Sequence, residues 1–191
     1  MVATRNTRED VVAAAGRLFA ARGYHGTSMR DLGRELGLQG SSLYSHVSSK
    51  EDLLVEVIER GAEHFQASAE RAMAGSDDPA EQLRCLIAGH IDVVLDHSDE
   101  VKTFLDEARA LDDPNRDTVI AVRDAYEQTF RDVIRAGSDT GVYAAGLDPK
   151  ITAIFVLSIL NATERWYNRS GPLGRDDVVH EMVDFVERSL T

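Results

Sequence analysis

Three Asp-Pro pairs, Asp78-Pro79, Asp113-Pro114 and Asp148-Pro149, punctuate the chain beyond residue 75 and constrain its fold more than any other feature. An aspartate accepts hydrogen bonds from the free amides at a helix start, and a proline in the first helical position gives up no hydrogen bond there. After the first pair, Leu83, Leu86, Ile87, His90, Ile91 and Val94 recur at helical spacing as an inward face to about Asp96. After the second come Val119, Val122, Tyr126, Thr129, Phe130, Val133 and Ile134, with Gly137 expected to close the helix at about Ala136. Ser98 reads as the cap of an intervening helix carrying Val101, Phe104, Leu105, Ala108 and Leu111. No stretch alternates as a strand would. The chain is expected to be all-α, with roughly nine helices.

The N-terminal third follows the same grammar on a smaller scale. Thr7 or Asn6 can cap a helix to about Arg22, closed by Gly23, with Val11, Val12, Ala15, Leu18 and Phe19 inward. Thr27-Ser28 then precede Asp31 at capping-box spacing, and a short helix bears Met29, Leu32 and Leu36. Gly37 stops it. After Leu38-Gln39 a second helical run covers Gly40 to His46. Two short helices joined by a Gly-containing turn form a helix-turn-helix, whose second helix enters the major groove of DNA. Gln39, Gly40, Ser41 and Ser42 would let its N-terminus approach the groove closely, while Tyr44 and His46 can donate to phosphates. Many helical proteins also contain two short amphipathic helices around a glycine, so spacing alone leaves both readings open. Ser48 or Ser49 caps the next helix, with Asp52 at capping-box spacing from Ser49, and that helix should run from about Lys50 to Ala74.

Residues 8–60 resemble the N-terminal domain of the TetR family of transcriptional regulators. The resemblance rests on Ala14-Ala15 to Phe19, Arg22-Gly23-Tyr24, Thr27-Ser28, Gly37 to Ser42, Leu43-Tyr44 and Ser49-Lys50-Glu51-Asp52-Leu53. The chain departs from the family pattern at Gly33, where alanine is usual, and at Val47, where phenylalanine is usual. The resemblance implies a three-helix DNA-binding domain over residues 1–50 and a ligand-binding and dimerisation domain over residues 51–191, linked by a helix over about 50–74. It also implies that Thr27, Ser28 and Lys50 join Gln39, Gly40, Ser41, Ser42, Tyr44 and His46 at a double-stranded DNA operator, with Lys50 clamping a phosphate.

Charge supports that polarity. Residues 1–50 hold seven cations (Arg5, Arg8, Arg17, Arg22, Arg30, Arg34, Lys50) against four carboxylates, a net +3. The whole chain is −12, so residues 51–191 carry −15. Only the N-terminal end can meet a polyanion. Cys85 is the single cysteine and excludes an intrachain disulfide or a multi-cysteine zinc site; a buried, inert thiol is expected. His90 and His97 lie seven apart with no cysteine nearby, so no metal site is expected, and no cofactor or catalytic motif is evident. The most apolar run, Ile151 to Leu160, is too short to span a bilayer, and a cytoplasmic protein is expected.

That run is apolar nearly all round, and the final helix adds Val178, Val179, Met182, Val183, Phe185, Val186 and Leu190. Two wide apolar faces at the C-terminus suggest either a well-buried pair within one subunit or a homodimer through helices at about 149–168 and 176–190. The family resemblance favours the dimer, and hence a palindromic operator. Polar groups on the middle helices mark a candidate effector site at Phe104, Glu107, Tyr126, Asn161, Arg165 and Trp166, with His90 nearby in pattern. Asp106 to Leu111 and Arg165 to Leu173 further resemble a TetR branch that represses fatty-acid or steroid catabolism and responds to acyl-CoA thioesters. The chain has Leu157 and Asn161 where steroid-responsive members carry a larger polar or aromatic pair, which points to an acyl-CoA of another kind. Cations for CoA phosphates are few: Arg109, Arg116, Arg165 and Arg169. A ligand-responsive repressor is therefore expected. The alternatives are a repressor of a drug-efflux gene that responds to lipophilic drugs, and a helical small-molecule-binding protein without DNA binding.

Overall fold

The computed structural model describes residues 7–38 and 40–191, with the burial of Gly40 and the side chain of Ser41 also left aside. Expectations placed on Arg5, Asn6 and Gln39, on the exposure of Gly40 and on the Ser41 side chain lie outside what is described. Among those described, the chain forms nine α-helices and one short 3-10 turn, with no strand. They are α1 (Arg8–Arg22), α2 (Met29–Leu36), α3 (Gly40–Leu43), α4 (Lys50–Gly75), α5 (Pro79–Asp96), α6 (Ser98–Asp106), the 3-10 turn Ala108–Ala110, α7 (Asp113–Asp139), α8 (Pro149–Trp166) and α9 (Arg175–Leu190). No described helix is long and apolar enough to cross a membrane.

Contacts divide the chain into two compact units that do not follow the order of the sequence. The first joins the described residues up to Glu63 with His97–Ile120; the second joins His64–Asp96 with Ala121–Thr191. The division passes through α4 and α7, so each of these helices contributes to both units.

In the first unit, α1 packs on α6 as well as on α2. Val11, Val12, Ala15, Leu18 and Phe19 are buried together with Leu32, Leu43, Val47, Leu53, Val57 and Val101. Gly61 on α4 lets α6 come close, since a Cβ there would sit 3.0 Å from both the Glu100 carbonyl oxygen and Phe104 Cβ. Gly33 has a local reason. The Leu38 amide closes on its carbonyl at 2.8 Å, and a Cβ on Gly33 would lie 3.1 Å from the Leu38 oxygen. The glycine that replaces the usual alanine thus suits a tight turn between α2 and α3.

In the second unit α5 packs against α8 and α9. The buried side chains include Leu83, Leu86, Ile87, Ile91, Phe130, Ile134, Val156, Leu160, Val178 and Val186. Asp148 caps α8 as its Asp-Pro pair predicts, accepting from the Lys150 and Ile151 amides with Pro149 in the first turn. Asp78 likewise accepts from the Ala80 amide at 3.2 Å.

Five local expectations are corrected. Gly137 does not end α7, which continues to Asp139; it is a socket, because a Cβ there would lie 2.2 Å from the Tyr143 ring. Asp112, not Asp113, meets the first turn of α7, accepting from the Asn115 amide at 3.2 Å. Ser98 is itself helical, and the residue before α6 is His97, which makes no side-chain cap. The helix expected to carry residues to Leu111 stops at Asp106, and Leu111 turns extended (φ −74, ψ 153) with its side chain buried. Cys85 is half-buried, not buried; burial pushes its thiol pKa up and Glu81 adds to that, so the thiol stays protonated and poorly nucleophilic.

Candidate functional site

Helix α2 and its surroundings are held by polar groups acting close to home. Thr7 caps α1 and Ser28 caps α2, each in a reciprocal capping box with Asp10 and Asp31 respectively. The bonds hold both carboxylates below the usual range: the Thr7 amide contributes most at Asp10, and the Ser28 hydroxyl contributes most at Asp31. Gly37 closes α2 at φ 65, in the left-handed region where a side chain is strained. Helix α3 is shorter than the run expected from sequence, ending at Leu43 and not at His46. The Ser45 hydroxyl donates back to the Ser42 carbonyl at 2.7 Å, a local bond that competes with helix continuation. Leu43 and Val47 are buried and fasten this segment from both ends. Tyr44, 57 % exposed, points away from that core. Ser28 and Ser42 are exposed and His46 is half-buried.

Two residues expected at the DNA surface have their side chains bonded to backbone carbonyls of the fold. Thr27 is 2 % exposed, and its hydroxyl donates to the carbonyls of Leu18 at 3.2 Å and Gly23 at 3.0 Å. It ties the end of α1 to the start of α2 and presents no group to a phosphate. The Lys50 ammonium donates to the carbonyls of Tyr24 and Thr27, both at 2.9 Å, and stands 4.0 Å from the centre of the Tyr24 ring. That ring rests edge-on against Phe19 at 5.5 Å. Lys50 therefore fastens the start of α4 to the α1–α2 loop. The Gly-aromatic pair Gly23-Tyr24 was the signal for this, although its partner 26 residues away was not legible. Arg8 is similarly engaged, donating to the His46 carbonyl at 2.6 Å and pairing with Glu56 at 2.7 Å.

The residues expected to bind an effector fall in different places. Phe104 is buried on α6 beside Gly61. Glu107 belongs to the same unit, with Oε1 3.3 Å from where a Cβ on Gly23 would stand. Tyr126, Asn161, Arg165 and Trp166 belong to the other unit. There the structure brings Tyr126 and Asn161 to one partner, His90. The Tyr126 hydroxyl lies 3.1 Å from His90 Nδ1, and the Phe65 ring covers the imidazole at 4.6 Å. Phe130 stacks next to Tyr126 at 5.5 Å. His90 is 1 % exposed. Burial pushes its pKa down to about 3, a fall that the polar interaction with Asn161 only partly opposes. The imidazole is therefore neutral at physiological pH. Burial also pushes the Tyr126 phenol far above its ordinary value, so it too is neutral.

Arg165 and Trp166 end α8 on the surface. Trp166 is 49 % exposed and meets the Tyr167 ring at 6.4 Å. Of the other cations considered for CoA phosphates, Arg116 pairs with Asp113, and Arg169 donates to the Leu95 carbonyl and pairs with Asp96. Arg109 is exposed, with its Nε donating to the Asp106 carbonyl at 3.4 Å. Phe65 and Phe130 were not picked out as site residues from the sequence; both are buried apolar side chains. Among the described residues no group of histidine, cysteine and carboxylate side chains could hold a metal ion.

Helices α8 and α9 leave large apolar side chains on the surface of the chain. Ile151 and Phe155 of α8 are 45 % and 63 % exposed, and Phe185 of α9 is 57 % exposed. The run Ile151 to Leu160 is thus buried on one side within a single chain, not on most sides as its composition suggested.

Comparison with known proteins matches residues 11–57 to the model for bacterial regulatory proteins of the tetR family. Residues 76–190 match the model for a tetracyclin repressor-like C-terminal domain. Among solved structures, the TetR family transcriptional regulator PfmR from Thermus thermophilus is 32 % identical, with a TM-score of 0.85 over 93 % of this chain and 97 % of that one. The ketosteroid transcriptional regulator KstR2 of Mycobacterium tuberculosis is 25 % identical, with a TM-score of 0.91 over 96 % and 94 %. AibR, solved in complex with isovaleryl coenzyme A and operator DNA, is 25 % identical, with a TM-score of 0.86 over 93 % and 96 %. With both models together spanning most of its length, the chain belongs to the TetR family of transcriptional regulators.

Proposed function

We propose that this protein is a homodimeric repressor that leaves a palindromic operator when an acyl-CoA binds its C-terminal domain. Residues 1–50 would form the reading head, residues 51–191 the ligand-binding and dimerisation domain, and α4 the link between them. At the DNA, Ser28, Gln39, Gly40, Ser41, Ser42, Tyr44 and His46 are assigned to contact, with Thr27 and Lys50 positioning them from behind. The observation that carries the reading is the combination of a +3 head with exposed Phe155 and Phe185 on the last two helices. A second copy would cover those side chains and set two heads at half-site spacing. The likeness to AibR, crystallised with both an acyl-CoA and an operator, supports the effector class. That likeness favours an acyl-CoA over the lipophilic drugs of an efflux repressor.

The mechanism is a shift of population. An effector weakens operator binding only by the ratio of its affinities for the DNA-competent and DNA-incompetent conformations. A cytoplasmic location follows from the same reading, since the operator is there. The test is a gel shift with DNA from upstream of the protein's own gene, at several salt concentrations, with acyl-CoAs and lipophilic drugs added in turn. Specific binding that falls steeply with salt and is relieved by an acyl-CoA supports the proposal. Relief by drugs alone favours the efflux reading, and no specific binding to any upstream sequence removes the repressor. Phe155→Asp with Phe185→Asp should yield a monomer in sedimentation analysis and lower operator affinity by more than about 100-fold, because a single head keeps only one half-site. A variant that stays dimeric would place the interface elsewhere.

A further inference from the structure

The cluster around His90 contains one polar atom that no described residue satisfies with a hydrogen bond. His90 lies on α5, Tyr126 and Phe130 on α7, Asn161 on α8 and Phe65 on α4, all within the second compact unit. The tautomer follows from the hydrogen-bond inventory. Tyr126 has His90 Nδ1 as its hydroxyl's partner at 3.1 Å. If Nδ1 carried the proton, the buried phenol hydrogen would itself need another acceptor. The arrangement in which Tyr126 donates to Nδ1 leaves the imidazole proton on Nε2. Among the described residues no group closes a hydrogen bond to that atom, although the Asn161 side chain is near enough to favour a positive ring. A buried N–H without an acceptor is destabilising, and a neutral, apolar-walled position cannot offset the desolvation of an anion.

We infer that His90 Nε2–H is the polar end of the effector site and takes an uncharged acceptor, the carbonyl of an acyl thioester, in preference to a free carboxylate. This rests on the ligand-responsive reading above and adds to it the chemical state of the ligand's head. A carbonyl oxygen accepts the proton Nε2 offers and brings no charge into a setting of Phe65, Tyr126 and Phe130. A carboxylate would need a counter-charge there. The imidazole does not supply one, since the same burial that hides it also opposes its protonation. Tyr126 does not supply a hydrogen bond either, because its proton is held by Nδ1. The site then distinguishes an activated acyl group from the free acid that results when the thioester is hydrolysed. In such a switch the protein responds to the committed form of a substrate and ignores the unactivated one.

The test uses the full chain and two probes that share an acyl group, octanoyl-N-acetylcysteamine thioester and octanoate. Calorimetric titration should give at least about tenfold tighter binding of the thioester, an advantage of about 1.4 kcal/mol, and His90→Phe should reduce that preference to within about threefold. Equal or tighter binding of octanoate, or no binding of either probe, overturns the assignment. Because His90→Phe replaces a group inside the core, a measurement on the unsubstituted chain accompanies it. In 15N NMR the His90 ring should be the Nε2–H tautomer near neutral pH, with a signal that moves on adding the thioester and not on adding octanoate. An Nδ1–H tautomer, or an Nε2 signal unmoved by the thioester, overturns the inference. Release of bound operator DNA by the same probes separates the two levels of the reading. Release by octanoate as readily as by the thioester keeps the ligand-responsive regulator and removes the role of His90. Tight, His90-dependent thioester binding that leaves the DNA complex intact keeps the site and removes the regulatory reading.

Discussion

The two units of this chain use polar side chains in opposite ways. In the unit containing α1 to α3, hydroxyls, carboxylates and an ammonium are spent within a few residues of helix ends: Thr7 on Asp10, Ser28 on Asp31, Thr27 on Leu18 and Gly23, Lys50 on Tyr24 and Thr27. The result is a small head whose loops are fastened to its helices. In the unit containing α5, α8 and α9, the notable polar groups are set into the core, where His90 and Tyr126 meet 36 residues apart in sequence. A group at a helix end can be satisfied by backbone that is always there. A group in the core depends on several helices arriving together, and is the more sensitive to whatever those helices enclose. On that contrast, local opening is expected to begin in the core of the second unit and not in the head.

Acid should break the symmetry between the units most strongly. His90 titrates near 6.5 when unfolded and near about 3 in the fold, so below pH 6.5 the unfolded chain binds the extra proton. Stability contributed by the neutral ring is present above pH 6.5 and is lost as pH falls toward about 3. The loss from this group should be about 2.5 kcal/mol between neutral pH and pH 4.5, measured by urea denaturation, and His90→Phe should remove it. Hydrogen exchange should show α5 and α8 opening before α1 and α2. If α1 and α2 open first, the division of roles is wrong.

A smaller effect is expected in the head. Thr27→Val keeps the shape of the side chain and deletes both hydroxyl bonds, which should cost about 1–2 kcal/mol of stability by thermal or urea denaturation. Operator affinity should fall with it by less than about tenfold, because the group positions the helix and touches no phosphate. A loss of affinity with unchanged stability would return Thr27 to the DNA surface.

The finest distinction concerns Lys50. If its ammonium is committed to the carbonyls of Tyr24 and Thr27, Lys50→Met should weaken the head by about 1 kcal/mol and leave the slope of log affinity against log salt unchanged. Tyr44→Phe serves as the contrast, removing a hydroxyl at the surface with no cost to stability and a uniform loss of affinity across operators. A slope shallower by about 0.9 in Lys50→Met would mean that this lysine neutralises a phosphate after all.

Much of the fold was legible because its signals are local. Ser28 with Asp31, Gly23, Gly37, Ser49 with Asp52 and the Asp-Pro pairs each announce a helix end from a few adjacent residues. Where the reading slipped, a distant residue had intervened. Gly137 looks like a terminator until Tyr143 is seen occupying the space its side chain would need. Lys50 was assigned to a phosphate from its place at a helix start, and the carbonyls of the α1–α2 loop to which it donates were not legible. The residues proposed for the effector site were the least legible of all. Tyr126 and Asn161 could be named from their polarity on apolar faces, but only the packing of three helices makes His90 their common partner.

The division of the chain by contact has a practical corollary for building hybrid regulators. Splicing this reading head onto another sensor at residue 50, or even at Glu63, would leave behind His97–Ile120, the stretch whose α6 supports α1. The transplanted head would arrive with one of its supporting helices missing and, after the cut at Glu63, with Gly61 facing a stranger. What can be exchanged between relatives is a body assembled from two separate stretches of chain, so a working hybrid has to cut the sequence three times.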